Sequence, residues 1–417
     1  MKREAEMTRR STKNGRVAVI GGGPAGMATA LSVRQTGHEV TVFERYPHAR
    51  VAGNILNLWP GPIKALGLMG VDTEGLGAGC FTEFRSHRGK RRARIQLPAD
   101  IVRDYHGGYI GLLRRELYQR MLATLPEGVI QFDRGVTSFE QDRSGVRLHM
   151  SDGAIEEADV LIGADGIDSM IRRTLWGDSP KREHNLHVLA GFVLGKKIDG
   201  VEYDENILNH SRTVQGTWSG MLHRGEYGYQ WWVLEAHDAG VEFTEDIGAR
   251  ARKLADEFGA PLTTLIDATD PSNMQRWPIR DRKPIDTWSS GRVTLAGDAA
   301  HPTSPYAAYG AGMATEDGYF LGRALAAVDL TDHDAVTAAL ARYEEPRKPH
   351  TARQSNQAYY IGQLFHHTPR PLRGLRDAIL DHTPLLQKVV GESSPGEIIE
   401  QIALIDEAEQ RFAALRP

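Results

Sequence analysis

The 417 residues carry 50 lysines and arginines against 54 aspartates and glutamates, so no bulk field favours nucleic acid or an anionic membrane. A single cysteine, Cys80, excludes an intrachain disulfide, a Cys-x-x-Cys pair and a cysteine-rich zinc site, and suits a reducing, cytoplasmic setting. At about 150 residues per domain the chain has room for two or three domains, and it contains no apolar run near the roughly 18 residues that span a bilayer.

Met1–Asn14 lacks the apolar centre of a signal peptide and reads as a disordered basic tail. Arg16–Arg45, RVAVIGGGPAGMATALSVRQTGHEVTVFER, then reads as strand, turn, helix and strand. Val17–Ile20 is a short β-branched-rich run of the kind buried in a parallel sheet. Gly21, Gly23 and Gly26 form Gly-x-Gly-x-x-Gly: the first for the tight turn, the second for a pyrophosphate to approach, the third for close helix packing. The helix Ala25–Gln35 would aim free N–H groups at phosphates. Val40–Phe43 restores a strand that ends in Glu44, placed to accept hydrogen bonds from a ribose. This context predicts a dinucleotide site, a turn used only for helix packing being the alternative. FAD and NAD share the ADP-ribose it reads, so the fingerprint does not separate them. Arg45 and Arg50 lie near the pyrophosphate, either as its partners or as ordinary surface arginines.

Val51–Gly70 suits a loop and short helix, and Phe81–Leu97 a basic, solvent-facing hairpin. Leu113, Leu117, Met121 and Leu125 lie on one face of a helix opened by Arg114. Val129–Ile155 reads as two or three strands with a turn at Asp142–Gly145. In Ala158–Arg172 a buried strand runs into Gly163-Ala164-Asp165-Gly166 and a helix, placing Asp165 at a strand's carboxyl end, where open α/β sheets bind ligands.

Between Trp176 and Asp286 the pattern changes to a separate antiparallel sheet with strands at His187–Lys196, Val214–His223 and Glu226–Glu235. Trp218, Tyr229 and Trp231 either line an apolar pocket for a planar ligand or form plain core; His210, His223, Arg224 and Tyr229 are candidate polar groups in that region. Arg292–Asp317 then delivers Asp298 from a buried strand, followed by a loop with His301 and Pro305 and a helix from about Ala311. Asp298 suits a sugar hydroxyl, and His301 is either a base or a group that holds the loop. The tail is helical, with Pro-bearing links at Pro346–Pro349 and Thr368–Pro371. Ile398, Ile402, Ile405, Ala408, Phe412 and Leu415 make an apolar stripe for its own chain or for a dimer seam.

The glycine fingerprint with Glu44-Arg45, Gly163-Ala164-Asp165-Gly166, and Gly297-Asp298-Ala299-Ala300-His301-Pro302, in this order, resembles the class A FAD-dependent monooxygenases, the p-hydroxybenzoate hydroxylase-like aromatic hydroxylases. The resemblance implies an α/β protein: a Rossmann-like FAD-binding domain over 15–176 and 287–345, an inserted antiparallel-sheet substrate domain over 177–286 and a helical region over 346–417. It implies that Gly21, Gly23, Pro24, Ala25, Gly26, Glu44, Arg45, Arg114, Asp165 and Asp298 hold FAD. Pro305 and Gly310, Ala311, Gly312 and Met313 would lie along its ring system. Trp218, His223, Tyr229 and Trp231 are the expected substrate contacts, with His223, Tyr229 and Pro305 the candidates for catalytic roles.

In such enzymes NADPH or NADH reduces the flavin, O2 adds at C4a, and the hydroperoxide passes an oxygen atom to an aromatic or polyketide-like molecule. Related chemistries are epoxidation, Baeyer-Villiger oxidation and reduction, and a flavin-binding paralogue without turnover is the non-enzyme alternative. A monomer or homodimer is expected, with no metal. Ala308 and Tyr309 stand where the family usually shows Gly-Gln.

Overall fold

The computed structural model describes residues 14–49 and 55–415. The expected basic tail up to residue 13, Arg50, and the first residues of the expected loop at 51–54 lie outside the described residues. In chain order the elements are β1 (Arg16–Ile20), α1 (Pro24–Arg34), β2 (Glu39–Phe43), β3 (Ile55–Leu58), α2 (Pro60–Leu68), β4 (Ala78–Ser86), β5 (Arg91–Ile95), α3 (Ala99–Asp104), β6 (Tyr109–Leu113) and α4 (Arg114–Thr124). There follow β7 (Ile130–Gln131), β8 (Val136–Gln141), β9 (Val146–Met150), β10 (Ile155–Ala158), β11 (Val160–Gly163), α5 (Met170–Trp176), β12 (Arg182–Leu194), β13 (Glu205–His210), β14 (Val214–His223) and β15 (Glu226–Ala236). The chain ends with α6 (Ile247–Ala255), α7 (Leu262–Asp267), β16 (Gln275–Asp281), β17 (Val293–Leu295), α8 (Gly310–Leu325), α9 (His333–His366), α10 (Arg373–His382) and α11 (Ser393–Ala414).

The apolar runs at the heart of the sequence fingerprints pair as a five-stranded parallel sheet in the order β17-β11-β1-β2-β7. Ile20 pairs with Gly163 and Gly163 with Leu295, so three distant glycine turns leave the sheet at the same edge. α1 and α8 lie backbone to backbone: a Cβ on Gly318 would stand 2.3 Å from Thr29 N and one on Gly322 2.0 Å from Ser32 Oγ. Small residues are what permit that approach.

The second sheet differs from the expected one. It has nine strands, in the order β16-β12-β15-β14-β13-β4-β6-β3 with β5 on β4. Residues 177–286 therefore do not form it alone, since 55–113 supply four of its strands, and it is mixed: β13 runs parallel to β4 and β14 to β6. Such pairings join residues more than a hundred positions apart, which local pattern cannot register. The expected hairpin forms as β4 and β5. Its face is not left to solvent, because Arg92 is buried against Asp381 at 2.7 Å.

α9 runs unbroken for 34 residues through Pro346 and Pro349, where a link between helices was expected. The carbonyls those rings leave without a donor belong to Arg342 and Glu345, both exposed, so water can satisfy them. The apolar stripe of α11 packs on its own chain: Ile398, Ile405, Ala408 and Phe412 are buried, Tyr319 donates to Ile405 O, and Glu409 pairs with Arg323.

Candidate functional site

The turn after β1 is set by backbone demands. Gly21 has φ +106°, and a Cβ there would lie 2.3 Å from Ala164 O; a Cβ on Gly26 would lie 1.9 Å from Gly21 O. Gly23 is different, with only Tyr118 Oη at 3.8 Å, so its surface faces open space. It caps α1 with no side-chain hydrogen bond and Pro24 follows, leaving the helix's first N–H groups to a ligand. Glu44 accepts from Gly22 N at 2.7 Å and Tyr46 N at 3.0 Å, which fixes its carboxylate beside the turn. Arg45 is exposed and stacks over Tyr46.

Around this turn stand polar groups with unused capacity. Asp165 Oδ2 caps α5 by accepting from Met170 N at 2.7 Å, while Oδ1 is buried without a partner. Burial raises its pKa, and hydrogen bonds from Ser169 and Met170 oppose the rise. Arg114 donates to Tyr118 Oη at 3.2 Å, and its Nε is likewise buried and unpartnered. Asp298 is exposed to the cleft yet set deep among protein atoms, which push its carboxyl up against the opposing charges of His301 and Arg114. The Gly297 turn abuts α1, since a Cβ there would meet Ala25 Cβ at 2.8 Å. An open glycine, a free helix end and orphaned Asp and Arg atoms along one cleft fit a dinucleotide.

The loop from Gly297 to α8 is clamped from below. Asp317 Oδ2 accepts from Gly297 N at 2.8 Å and meets His301 Nε2 at 2.5 Å, and its Oδ1 accepts from Arg347 Nε at 2.8 Å. Arg347 also pairs with Glu316 and donates to Met313 O and Gln401. Burial alone would raise Asp317, but the charges of His301 and Arg347 hold it below the ordinary carboxylate range. His301 thus faces the clamp and holds the loop. Tyr309 donates to Glu316, and Trp59 Nε1 donates to the carbonyl of Ala308, which sits at φ 47°.

Above that loop lies a cavity of about 100 Å³, walled by Phe84, Ile95, Tyr109, Leu208 and His210 on the large sheet, by Trp59 at the start of α2, by residues 306–309, and by α9 and α11. It approaches the roughly 150 Å³ in which an engineered protein cavity binds benzene. His210 is buried, stacks on Phe365 at 3.7 Å and has no partner at either ring nitrogen. Burial, with His366, Arg92 and Arg376 adding, keeps it neutral. Tyr306 donates to His366 Nε2, whose Nδ1 is committed to Thr213 O at 2.8 Å.

Four expected substrate contacts do not line this cavity. Trp218, Tyr229 and Trp231 point to the other face of the sheet, where they pack with Ala251, Leu262 and Leu265 of α6 and α7. Trp231 Nε1 donates to Thr269 Oγ1 and Trp218 Nε1 to Glu205, so their polar atoms are spent in that core. His223 lies at the strand end against Glu116, at 3.1 Å. Alternation fixes which residues share a face, but not which face the helices take. Pro305 opens the short turn at the cavity floor and is exposed. The residues missed are Trp59, Tyr109, Asn206, His350, Gln354 and Glu397. One signal was present: 350, 354, 357, 358 and 361 recur at helical spacing and all face the cavity.

Residues 14–358 match the family described as FAD binding domain. The chain is 33% identical to 3-amino-4-hydroxybenzoate 2-monooxygenase PtnB3 of Streptomyces platensis, over 89% of this chain and 93% of that protein. It is 32% identical to 6-hydroxynicotinate 3-monooxygenase of Bordetella bronchiseptica, over 81% and 89%. Its fold superposes on that of Klebsiella pneumoniae HpxO complexed with FAD and uric acid with a TM-score of 0.79, at 23% identity, over 93% and 97% of the two chains.

Proposed function

The chain belongs to the FAD binding domain family, and from that premise we propose that it hydroxylates a small aromatic molecule held in the cavity above the Gly297–Met313 loop, with NADPH or NADH as electron donor. One observation carries this reading: residues 306–309 floor the cavity, while the same loop begins at Asp298 in the nucleotide cleft, so both sites share one wall. The monooxygenase names of the relatives accord with it.

In this reading Gly21, Gly23, Pro24, Ala25 and Gly26 receive the pyrophosphate of FAD, Glu44 its ribose, and Asp298 its ribityl chain, with Arg45, Arg114 and Asp165 beside it. When bound, FAD supplies the two-electron exchange with NAD(P)H and the activation of O2. Pro305 and the amides from Gly310 to Met313 line the ring system, held by the Asp317–Arg347 clamp. Trp59, Phe84, Ile95 and Leu208 exclude water from the cavity. His210, neutral and with open ring nitrogens, accepts a hydrogen bond from a substrate hydroxyl, a role that His223 and Tyr229 are badly placed to play. Among the described residues no helix is long and apolar enough to cross a membrane. A cytoplasmic setting accords with Cys80 standing alone and buried, its thiol pushed up to about 12 by burial.

The test is the visible spectrum of the purified protein, recorded anaerobically before and after NADPH, with and without a panel of phenols. Flavin bands that bleach faster with one phenol are the expected result. Bound flavin that no nicotinamide bleaches contradicts turnover, and no flavin after reconstitution removes the premise.

A further inference from the structure

The wall of the cavity farthest along α9 and α11 is polar in a particular way. His350 and Gln354, one turn apart on α9, face Ser394 and Glu397 on α11. His350 is 3% exposed with both ring nitrogens unpartnered, and burial, together with the charges of Arg347 and Arg353, lowers it to about 2. Gln354 Nε2 donates to Glu397 Oε2. The other carboxylate oxygen, Oε1, makes a long ion pair of 3.8 Å with Arg353, whose side chain is 49% exposed, and burial raises the Glu397 carboxyl above its ordinary value against Gln354 and Arg353.

No lysine or arginine is among the described lining residues, and Glu397 is their one carboxylate. Arg92 and Arg376, whose charges reach His210, are engaged elsewhere, Arg92 with Asp381 and Arg376 with Asp377 and four backbone carbonyls.

Resting on the reading of this cavity as the substrate site, we propose that it selects an aromatic ring whose end toward α9 and α11 carries a hydrogen-bond donor, an amine or a hydroxyl, received by Glu397 and His350. A ring carboxylate at that end is rejected. Donor and acceptor fit is the attractive half of the selection: Glu397 Oε1, in a long ion pair with Arg353, keeps lone pairs for a donor, and neutral His350 accepts or donates as its tautomer requires. Repulsion is the other half. A carboxylate there would face the half-buried Glu397 carboxylate with no lysine or arginine in the described lining, and like charges at short range disfavour each other.

The proposal is tested on the FAD-loaded protein by titrating matched ligands and following the perturbation of the flavin's visible bands. The probes are aniline against benzoate, and 2-methylaniline against 2-methylbenzoate, rings with no second donor to turn toward α9 and α11. Each amine is expected to bind about tenfold tighter or more than its acid, the factor supplied by one hydrogen bond to a charged group. In Glu397→Gln, which keeps size and the contact with Gln354, that ratio should collapse toward one. Acids that bind the unaltered protein as tightly as the amines overturn the donor rule, as does a ratio that survives Glu397→Gln. A bound flavin that no probe perturbs overturns the cavity reading and the proposal with it, a result distinct from the other two.

Discussion

Gly23 and Gly26 stand three residues apart and answer to different constraints. A methyl on Gly26 collides with Gly21 O inside the protein, whereas one on Gly23 meets nothing closer than 3.8 Å. Gly26→Ala should therefore cost about 1–3 kcal/mol of stability, the usual penalty for overfilling a packed site. Gly23→Ala should leave the urea midpoint of the apoprotein unchanged and weaken FAD binding about tenfold. Equal effects of the two variants in unfolding and in flavin titration would contradict this division. Asp298→Ala, at a carboxylate exposed to the cleft, should release FAD during gel filtration while the fold persists; full flavin content would count against its role. These positions were legible because a turn or a strand end makes a local demand on residue type. Trp231 was not, since only the packing of α6 and α7 tells which sheet face is core.

At the scale of elements, α8 and α9 are joined by charge as well as by apolar packing. Asp317, Glu316 and Arg347 are wholly buried, and removing one member of such a group leaves the others uncompensated. Arg347→Leu should cost about 3–5 kcal/mol in urea unfolding; a loss under about 1 kcal/mol would show that the clamp is dispensable. The sequence announced a strand, a loop and a helix over Arg292–Asp317, and the structure has β17, two short turns and α8 there. It did not announce that Arg347, thirty residues on and between two prolines, closes the loop from beneath. Proline reads as a break when the helix is taken alone, and only the exposure of Arg342 and Glu345 shows why α9 continues.

For the whole molecule, the buried histidines set a pH dependence. His210, His350 and His366 are held neutral in the fold, the last two at about 2 and about 4, chiefly by burial. In the unfolded chain each takes up a proton near pH 6.5. The unfolded state therefore binds more protons below that pH, and stability falls as pH drops from about 6.5 toward 4, by up to about 1.4 kcal/mol per pH unit for each histidine. Asp317, depressed by His301 and Arg347 against its burial, adds a second loss below its unfolded value near 4, as pH falls through its folded one. Urea midpoints measured in half-unit steps from pH 7.5 to 4 check this. A flat profile would mean that these histidines titrate normally in the fold.

By itself the sequence determined the parallel sheet's central strands, the three glycine turns and the acids at their ends, because each depends on residues adjacent in the chain. Backbone sterics and strand periodicity act over a few positions, and the pattern displays them. Tertiary structure alone decided the rest: that 55–113 complete the second sheet, that its aromatic strand turns away from the ligand side, and that α9 and α11 bring His350, Gln354 and Glu397 to the cavity wall. Those outcomes depend on pairings between segments far apart in the chain, whose free energy comes from burying one specific face against another, and no local window of sequence contains both partners.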